Sequence, residues 1–412
     1  MKKALSAGLA LAMAALVPLA ADAEQPSAFG GDFDLQDFYR PFTLDEITPQ
    51  NMQKWPYNKH VSANWDEYVT TSTAKIAPAK APGKLREGNK RFDLNGEFQN
   101  GKSYLQSLID TQVKGFVVLK DGEILAEYYD NGFNVGQTNL LQSASKTFAG
   151  VITHKLIDEG KLDPNARVDS IMPDFKGTTI GNATVQQVLD MTTGAPTLLD
   201  FHTPGTPDAQ WEVEIGLQKG EPQGHVKLVK TVRKAAEPGT EWNYTDKNTD
   251  ALALLAEKVT GKKYADLLSD LFNDFGANDA GSISLTSDGT ASPSYGISIS
   301  TRDYALFHQW LAQRKGPKSF YESAMDKSKN LITKNELAAP IFPGTTYGSQ
   351  TYYMPKDNVM FSSGSYGQIG FSDMDGGASV VMHADWANNA EPDKFSESRE
   401  RAIAIIKALR KN

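Results

Sequence analysis

Leu140-Leu141-Gln142-Ser143-Ala144-Ser145-Lys146-Thr147-Phe148 is the stretch on which the reading of this chain turns. Ser143 and Lys146 stand three residues apart. At the start of a helix that spacing puts both side chains on one face, one turn apart. A serine hydroxyl is a poor nucleophile at neutral pH. A lysine one turn away takes its proton when burial or a nearby cation keeps the amine neutral. The spacing alone is a weak signal, because Ser72 and Lys75 repeat it. The two copies differ in their downstream neighbours. Behind Lys146 come Phe148, Val151, Ile152, Leu156 and Ile157 at helical spacing, with Gly160 as a stop. Behind Ser72 comes KIAPAKAPGK, residues 75–84, which reads as a Pro/Ala/Lys linker. Only Ser143 reads as a nucleophile.

Upstream, 101–114 reads as a helix with Leu105, Leu108 and Ile109 on one face. The runs 115–120 and 123–129 flank Asp121-Gly122, the type I′ hairpin signature. Downstream, Thr184-Val185-Gln186-Gln187 and Ser300-Thr301-Arg302-Asp303 read as capping boxes opening helices. Thr249 to Thr260 reads as an apolar helix ended by Gly261. Near the end, 359–363, 366–371 and 378–383 read as strands, and 397–410 as an amphipathic helix. The order predicts an α+β fold: an antiparallel sheet flanked by helices, fed from both ends of the chain, with a mainly helical insertion. The expected boundaries are a sheet part at 100–139 and 340–412 and a helical part at 140–339. Residues 24–99, polar with scattered aromatics, read as an extension wrapping the core.

A serine–lysine pair needs a group that relays the proton to the leaving atom, two N–H donors for the oxyanion, and a wall that holds the substrate. Tyr244, after the Pro238-Gly239 turn, is the relay candidate. A lysine ammonium beside it is expected to lower its pKa. The alternative for Tyr244 is a core tyrosine at a loop end. The Gly/Ser-rich edge Phe361 to Gln368 allows close backbone approach. It offers Gly364 and Ser365 as oxyanion and substrate-edge candidates beside the Ser143 N–H, with a plain strand and glycine bulge as the alternative. Asp246, Trp211 and Tyr366 are pocket candidates, although Trp211 reads equally well as packing for its loop. A Ser-His-Asp triad through His202, His225 or His308 is the competing arrangement. There is no Gly-x-Ser-x-Gly elbow, His-Glu-x-x-His or phosphate-binding glycine loop, so no cofactor or metal is called for.

Composition narrows the class. With 412 residues, 40% hydrophobic and 22% charged, the chain can bury a substantial core. It contains no cysteine, which rules out thiol catalysis, cysteine-ligated metal, disulfides and a cysteine lipid anchor. The formal charge of −8 argues against nucleic acid as a partner. Lys2 and Lys3, the apolar run 4–20 and Ala21-Asp22-Ala23 read as a signal peptide (residues 1–23) cleaved after Ala23. The expectation is a periplasmic protein with no membrane span once the signal is gone.

In chain order, these segments resemble the serine hydrolases related to class C β-lactamases, D,D-carboxypeptidases and 6-aminohexanoate-dimer hydrolases. Ser143-Ala144-Ser145-Lys146-Thr147-Phe148 is similar to the family's Ser-x-x-Lys motif. Asp158 to Asp163, Ile171-Met172-Pro173, TVQQVLDMTTG at 184–194, Pro238 to Tyr244, 296–306 and Gly364 to Gln368 resemble its later segments. Two departures stand out. The family's Tyr-x-Asn is Tyr244-Thr245-Asp246 here, and no Lys-Thr-Gly is found beyond it. Both weaken a penicillin-recognising reading and favour the esterase and amidase branch. The resemblance implies a β-lactamase/transpeptidase-like fold and an acyl-enzyme on Ser143. It also implies Lys146 and Tyr244 as general base and acid, and a small-molecule ester or amide as substrate. A D,D-peptidase or β-lactamase, and a binding protein that has lost catalysis, remain the alternatives.

Overall fold

The computed structural model describes residues 42–130, 132–197, 203 and 205–411. The expected signal segment, residues 24–41 of the expected extension and His202 lie outside the described residues. Eight strands form the main sheet, in the order Thr346–Gly348, Thr351–Met354, Val359–Gly364, Gln368–Asp373, Ala378–Ala384, Val113–Lys120, Glu123–Tyr129 and Arg86–Glu87. All neighbours are antiparallel except the last pair. The chain's two ends thus meet at Ala378–Ala384 against Val113–Lys120, as the α+β reading expects.

The hairpin turn at Asp121-Gly122 has both residues at positive φ, 52° and 74°, and Lys120 faces Glu123 across it. That is type I′ geometry, whose twist matches the flanking strands. Both faces of the sheet are covered. Phe116, Val118, Val380 and Met382 face the C-terminal helix Pro392–Arg410 through Ala402, Ile405 and Ile406. Val117, Leu119 and Val381 face the helix Thr301–Ala312 through Tyr304, Ala305 and Phe307. The alternation reflects the period-two side-chain pattern of a strand.

Three expectations are corrected. The helix near 101–114 runs only Tyr104–Asp110, and Lys114 belongs to the next strand. Gln112, at φ 52°, turns the chain between them. Residues 75–84 are not wholly linker: Ser72–Ile76 is a strand paired antiparallel with Gly281–Leu285, Ser72 opposite Leu285. Residues three apart in a strand point to opposite faces, which explains why the second Ser-x-x-Lys builds no site. Finally, 140–339 is not uniformly helical. Ile297–Ser300 pairs with both Gly281–Leu285 and Thr138–Leu140 in a second, four-stranded sheet, and the helix after it is part of the main layer. The capping box at Thr184 forms in both halves. At Ser300 only the serine half forms, because Asp303 accepts instead from the Asn278 and Asp279 N–H groups, each at 2.7 Å.

The helix Lys146–Asp158 lies at the junction of these parts. Gly150 sits in it where the two-residue turn Ser349–Gln350 presses down. Both turn residues have positive φ, 55° and 62°, and a Cβ on Gly150 would overlap the Ser349 carbonyl oxygen. In an ordinary helix interior Gly→Ala stabilises by about 1 kcal/mol. Here the sign reverses. Gly150→Ala is expected to destabilise by about 1–3 kcal/mol through overpacking, read as a lower midpoint in urea unfolding.

Candidate active site

Ser143 lies in a 3-10 turn, Gln142–Ser145, that feeds directly into the helix Lys146–Asp158. The turn is pinned from below. Leu141 N–H donates to the Ile297 carbonyl at 2.8 Å, and Ile297 N–H donates to Ser145 Oγ at 3.1 Å. Gln142, just before the serine, holds φ 51°, a left-handed conformation uncommon outside glycine. Its neighbours in the turn are buried, whereas Ser143 is half-buried and faces outward.

Lys146 is 1% exposed. Its ammonium donates to Ser143 Oγ at 3.0 Å and to the Ser294 carbonyl at 2.6 Å, and it pairs with Asp246 Oδ1 at 2.7 Å. The three acceptors use the three protons of the group. The sequence reading asked for burial or a nearby cation, and the structure supplies the first. Burial is present, but the nearest charge is a carboxylate, not a second cation. Asp246, expected only as a pocket residue, is a direct partner of the lysine. It opens the helix Asp246–Thr260, where a negative charge also suits the N-terminal dipole.

Tyr244 is at the centre as expected, with the Lys146 ammonium 4.7 Å from its ring centroid. The expected direction of its pKa is corrected. Burial, and then the Asp246 carboxylate, push the phenol well above its ordinary value, and the Ser143 and Tyr352 hydroxyls only partly oppose them. The carboxylate offsets the field of the ammonium, so Tyr244 is held as a neutral hydroxyl. Trp242, Tyr347 and Tyr352 wall it from behind.

Gly364 closes the other side. It ends the strand Val359–Gly364, and the half-buried stretch 363–366 opens beside Ser143. A Cβ at Gly364 would overlap the Leu141 carbonyl oxygen and crowd the Ala144 N–H. The edge strand therefore lies against the turn that carries Ser143, close enough for backbone N–H groups of both to face one space. Ser365 is the next residue along this edge. Tyr366 has φ 63°, held by its N–H on the Asn389 carbonyl at 3.0 Å and its hydroxyl on the Gln53 carbonyl at 2.8 Å.

Trp211 does not line an open pocket. It is fully buried, with its ring 4.9 Å from that of His225 and the Lys247 ammonium 5.3 Å from its centroid. The helix Pro207–Glu214 turns its apolar side into a core shared with Leu252 and Leu255. The histidine triads are not assembled among the described residues. His308 meets only the hydroxyls of Ser362 and Ser372, and His225 meets Asp250 and Thr290, all in the interior. Glu212 is a site neighbour that the sequence reading missed. Burial raises its carboxyl to about 7, the Asp246 charge adds to the rise, and hydrogen bonds from Gln218 and Gln53 oppose it.

The beta-lactamase family model matches residues 105–406, almost three quarters of the chain. The chain belongs to the beta-lactamase family. It is 30% identical over 269 residues to 6-aminohexanoate-dimer hydrolase of Paenarthrobacter ureafaciens, covering 63% of this chain. The match spans 66% of that enzyme, just under two thirds of its length. A Bacillus anthracis protein assigned as a 6-aminohexanoate-dimer hydrolase superposes with a TM-score of 0.78 at 21% identity, covering 90% of this chain and 98% of that one. EstCE1, a hydrolase with promiscuous acyltransferase activity, superposes at 0.56 with 16% identity over 74% of this chain and 96% of its own. At these identities the structural matches establish the β-lactamase/transpeptidase-like fold. The family match supplies the setting for the Ser143–Lys146 pair.

This geometry sets two expected outcomes. Gly364→Ala is expected to cut kcat/KM on any ester the protein turns over by about 10²-fold with the circular dichroism spectrum unchanged, because the added Cβ displaces the edge strand and its backbone N–H groups beside Ser143. Glu212 gives a pH-dependent stability difference. Its folded pKa lies above its unfolded value, so the native state holds a proton that the unfolded state has lost. Stability is then complete below about pH 4.5 and falls as pH rises towards 7. Glu212→Gln is therefore expected to match the wild-type melting temperature near pH 4 and exceed it near pH 8.

Proposed function

We propose that this chain is an exported serine hydrolase that cleaves carboxylic esters or linear amides through an acyl-enzyme on Ser143. The carrying observation is the 3.0 Å contact between Lys146 Nζ and Ser143 Oγ in a turn that is otherwise buried. The similarity to 6-aminohexanoate-dimer hydrolase, a protein named for a linear amide, supports the amide side of the reading. The D-stereospecific amidohydrolase of Streptomyces shares the fold at a TM-score of 0.54 and 19% identity over 71% of this chain and 95% of its own.

Ser143 Oγ attacks the substrate carbonyl. The developing oxyanion lies between the Ser143 N–H and the backbone of the Gly364–Ser365 edge. The hydroxyl proton passes to Lys146 Nζ as one ammonium proton passes to Asp246 across the 2.7 Å contact, so the lysine stays an ammonium and the pair as a whole gains the one positive charge. A neutral Tyr244 hydroxyl has a proton to give, and it protonates the leaving alkoxide or amine before being refilled from Lys146. Water then attacks the acyl-enzyme by the reverse proton route and releases the acid. The stretch Phe361 to Gln368 contains no basic residue to receive a β-lactam carboxylate, which keeps penicillins behind esters and linear amides. The signal-like residues 1–23 carry the proposal of periplasmic export.

A fluorophosphonate probe tests the nucleophile. Wild type is expected to be labelled and Ser143→Ala not, and equal labelling of the two would sink the reading. On p-nitrophenyl acetate or butyrate, Tyr244→Phe is expected to lower kcat by about 10²-fold, while nitrocefin turnover stays far below ester turnover.

A further inference from the structure

We propose that Asp250 and His225 form a positioning clamp for Lys146, acting through the turn Ser292–Ser294. The proposal rests on Ser143 and Lys146 being the acylation pair. The helix Asp246–Thr260 carries two acids one turn apart. At (i, i+4) they project from the same face. Asp246 meets the lysine directly. Asp250 is fully buried and meets it at one remove. Its Oδ1 accepts the Ser294 N–H at 3.1 Å, and its Oδ2 accepts the Ser292 hydroxyl at 2.9 Å. The same Ser294 turns its carbonyl to Lys146 Nζ at 2.6 Å. Asp250 therefore fixes the residue that supplies one of only three acceptors around the buried ammonium.

His225 completes the assembly from the far side. Its Nε2 is 2.9 Å from Asp250 Oδ2, and its Nδ1 is 3.1 Å from Thr290 Oγ1. Thr290 lies just ahead of the same turn. Trp211 packs against the imidazole at a tilt and keeps water away. Every hydrogen bond in the set either touches the 290–294 loop or orients a group that does. A purely structural cluster has no reason to end on the carbonyl that the lysine uses. Without the clamp the Ser294 carbonyl is free to withdraw. Lys146 then swings towards Asp246 and leaves Ser143 Oγ. Asp250 and His225 touch no reacting atom, so their role is orientation.

Ser292→Ala removes one hydroxyl from the clamp and is the gentle probe. Asp250→Asn keeps the shape and an acceptor for Ser294 N–H but loses the charge. In the full chain, both are expected to lower kcat on p-nitrophenyl butyrate by about tenfold, with KM within about twofold of wild type. Both are also expected to shift the ¹⁵Nζ resonance of Lys146, identified by its loss in Lys146→Met. Asp250→Ala is expected to lose more kcat than Asp250→Asn. The clamp is overturned if the Lys146 resonance stays at its wild-type position in both gentle variants, whether kcat holds or falls together with melting temperature and KM. The resonance reports the clamp without any turnover. Failure of the Ser143 assignment shows separately, as undiminished fluorophosphonate labelling of Ser143→Ala.

Discussion

A charged amine inside a protein must find a full set of acceptors, because the loss of its water costs several kcal/mol. Lys146 meets this demand with one carboxylate, one backbone carbonyl and one hydroxyl. Each comes from a different part of the chain. Asp246 begins a helix far downstream, Ser294 sits in a turn of the second sheet, and Ser143 is one turn upstream. The ammonium is therefore a point to which the helical region, the small sheet and the turn carrying Ser143 are all tied. Loss of any acceptor leaves a buried charge poorly compensated, so folding and chemistry place the same requirement on this spot.

The carboxylate at 246 also decides how Tyr244 behaves. An amide at that position would leave the ammonium's field acting on the phenol. A carboxylate cancels much of that field and leaves burial to dominate. A neutral hydroxyl has a proton to donate, and in the proposed mechanism the lysine–aspartate pair accepts one.

The fold class and the Ser143–Lys146 contact were legible because both rest on local patterns: alternating strands around Asp121-Gly122 and near the C-terminus, and an apolar helix behind Ser143 and Lys146. The strand at 72–76 was not legible, because its character comes from pairing with 281–285, and a short polar segment carries no such signal alone. The same holds for 281–300, where short strands became legible only as a sheet. Trp211 illustrates the opposite error, since a large aromatic near a proposed pocket was free to face inward or outward until its neighbours were known. Asp250 and Ser294 left a trace, the four-residue spacing from Asp246, but nothing in sequence said which surface that helix face would meet. The sign of the Tyr244 shift depended first on how deeply the phenol is buried and then on the Asp246 charge, and both are properties of the assembled site.

The segment ahead of the hairpin covers one margin of each sheet. Residues 72–76 line the outside of the small sheet, and Arg86–Glu87 lines the outside of the large one beside Glu123–Tyr129. Each is the outermost ribbon of its layer. Strip them away and two rows of unpaired amides face water, each a template for another copy of the chain. Lys75, Arg86 and Glu87 place charge on those margins. What looks in sequence like a loose leader is thus the selvedge of the fabric. It occupies backbone donors and acceptors that would otherwise stand open at the margin of each sheet.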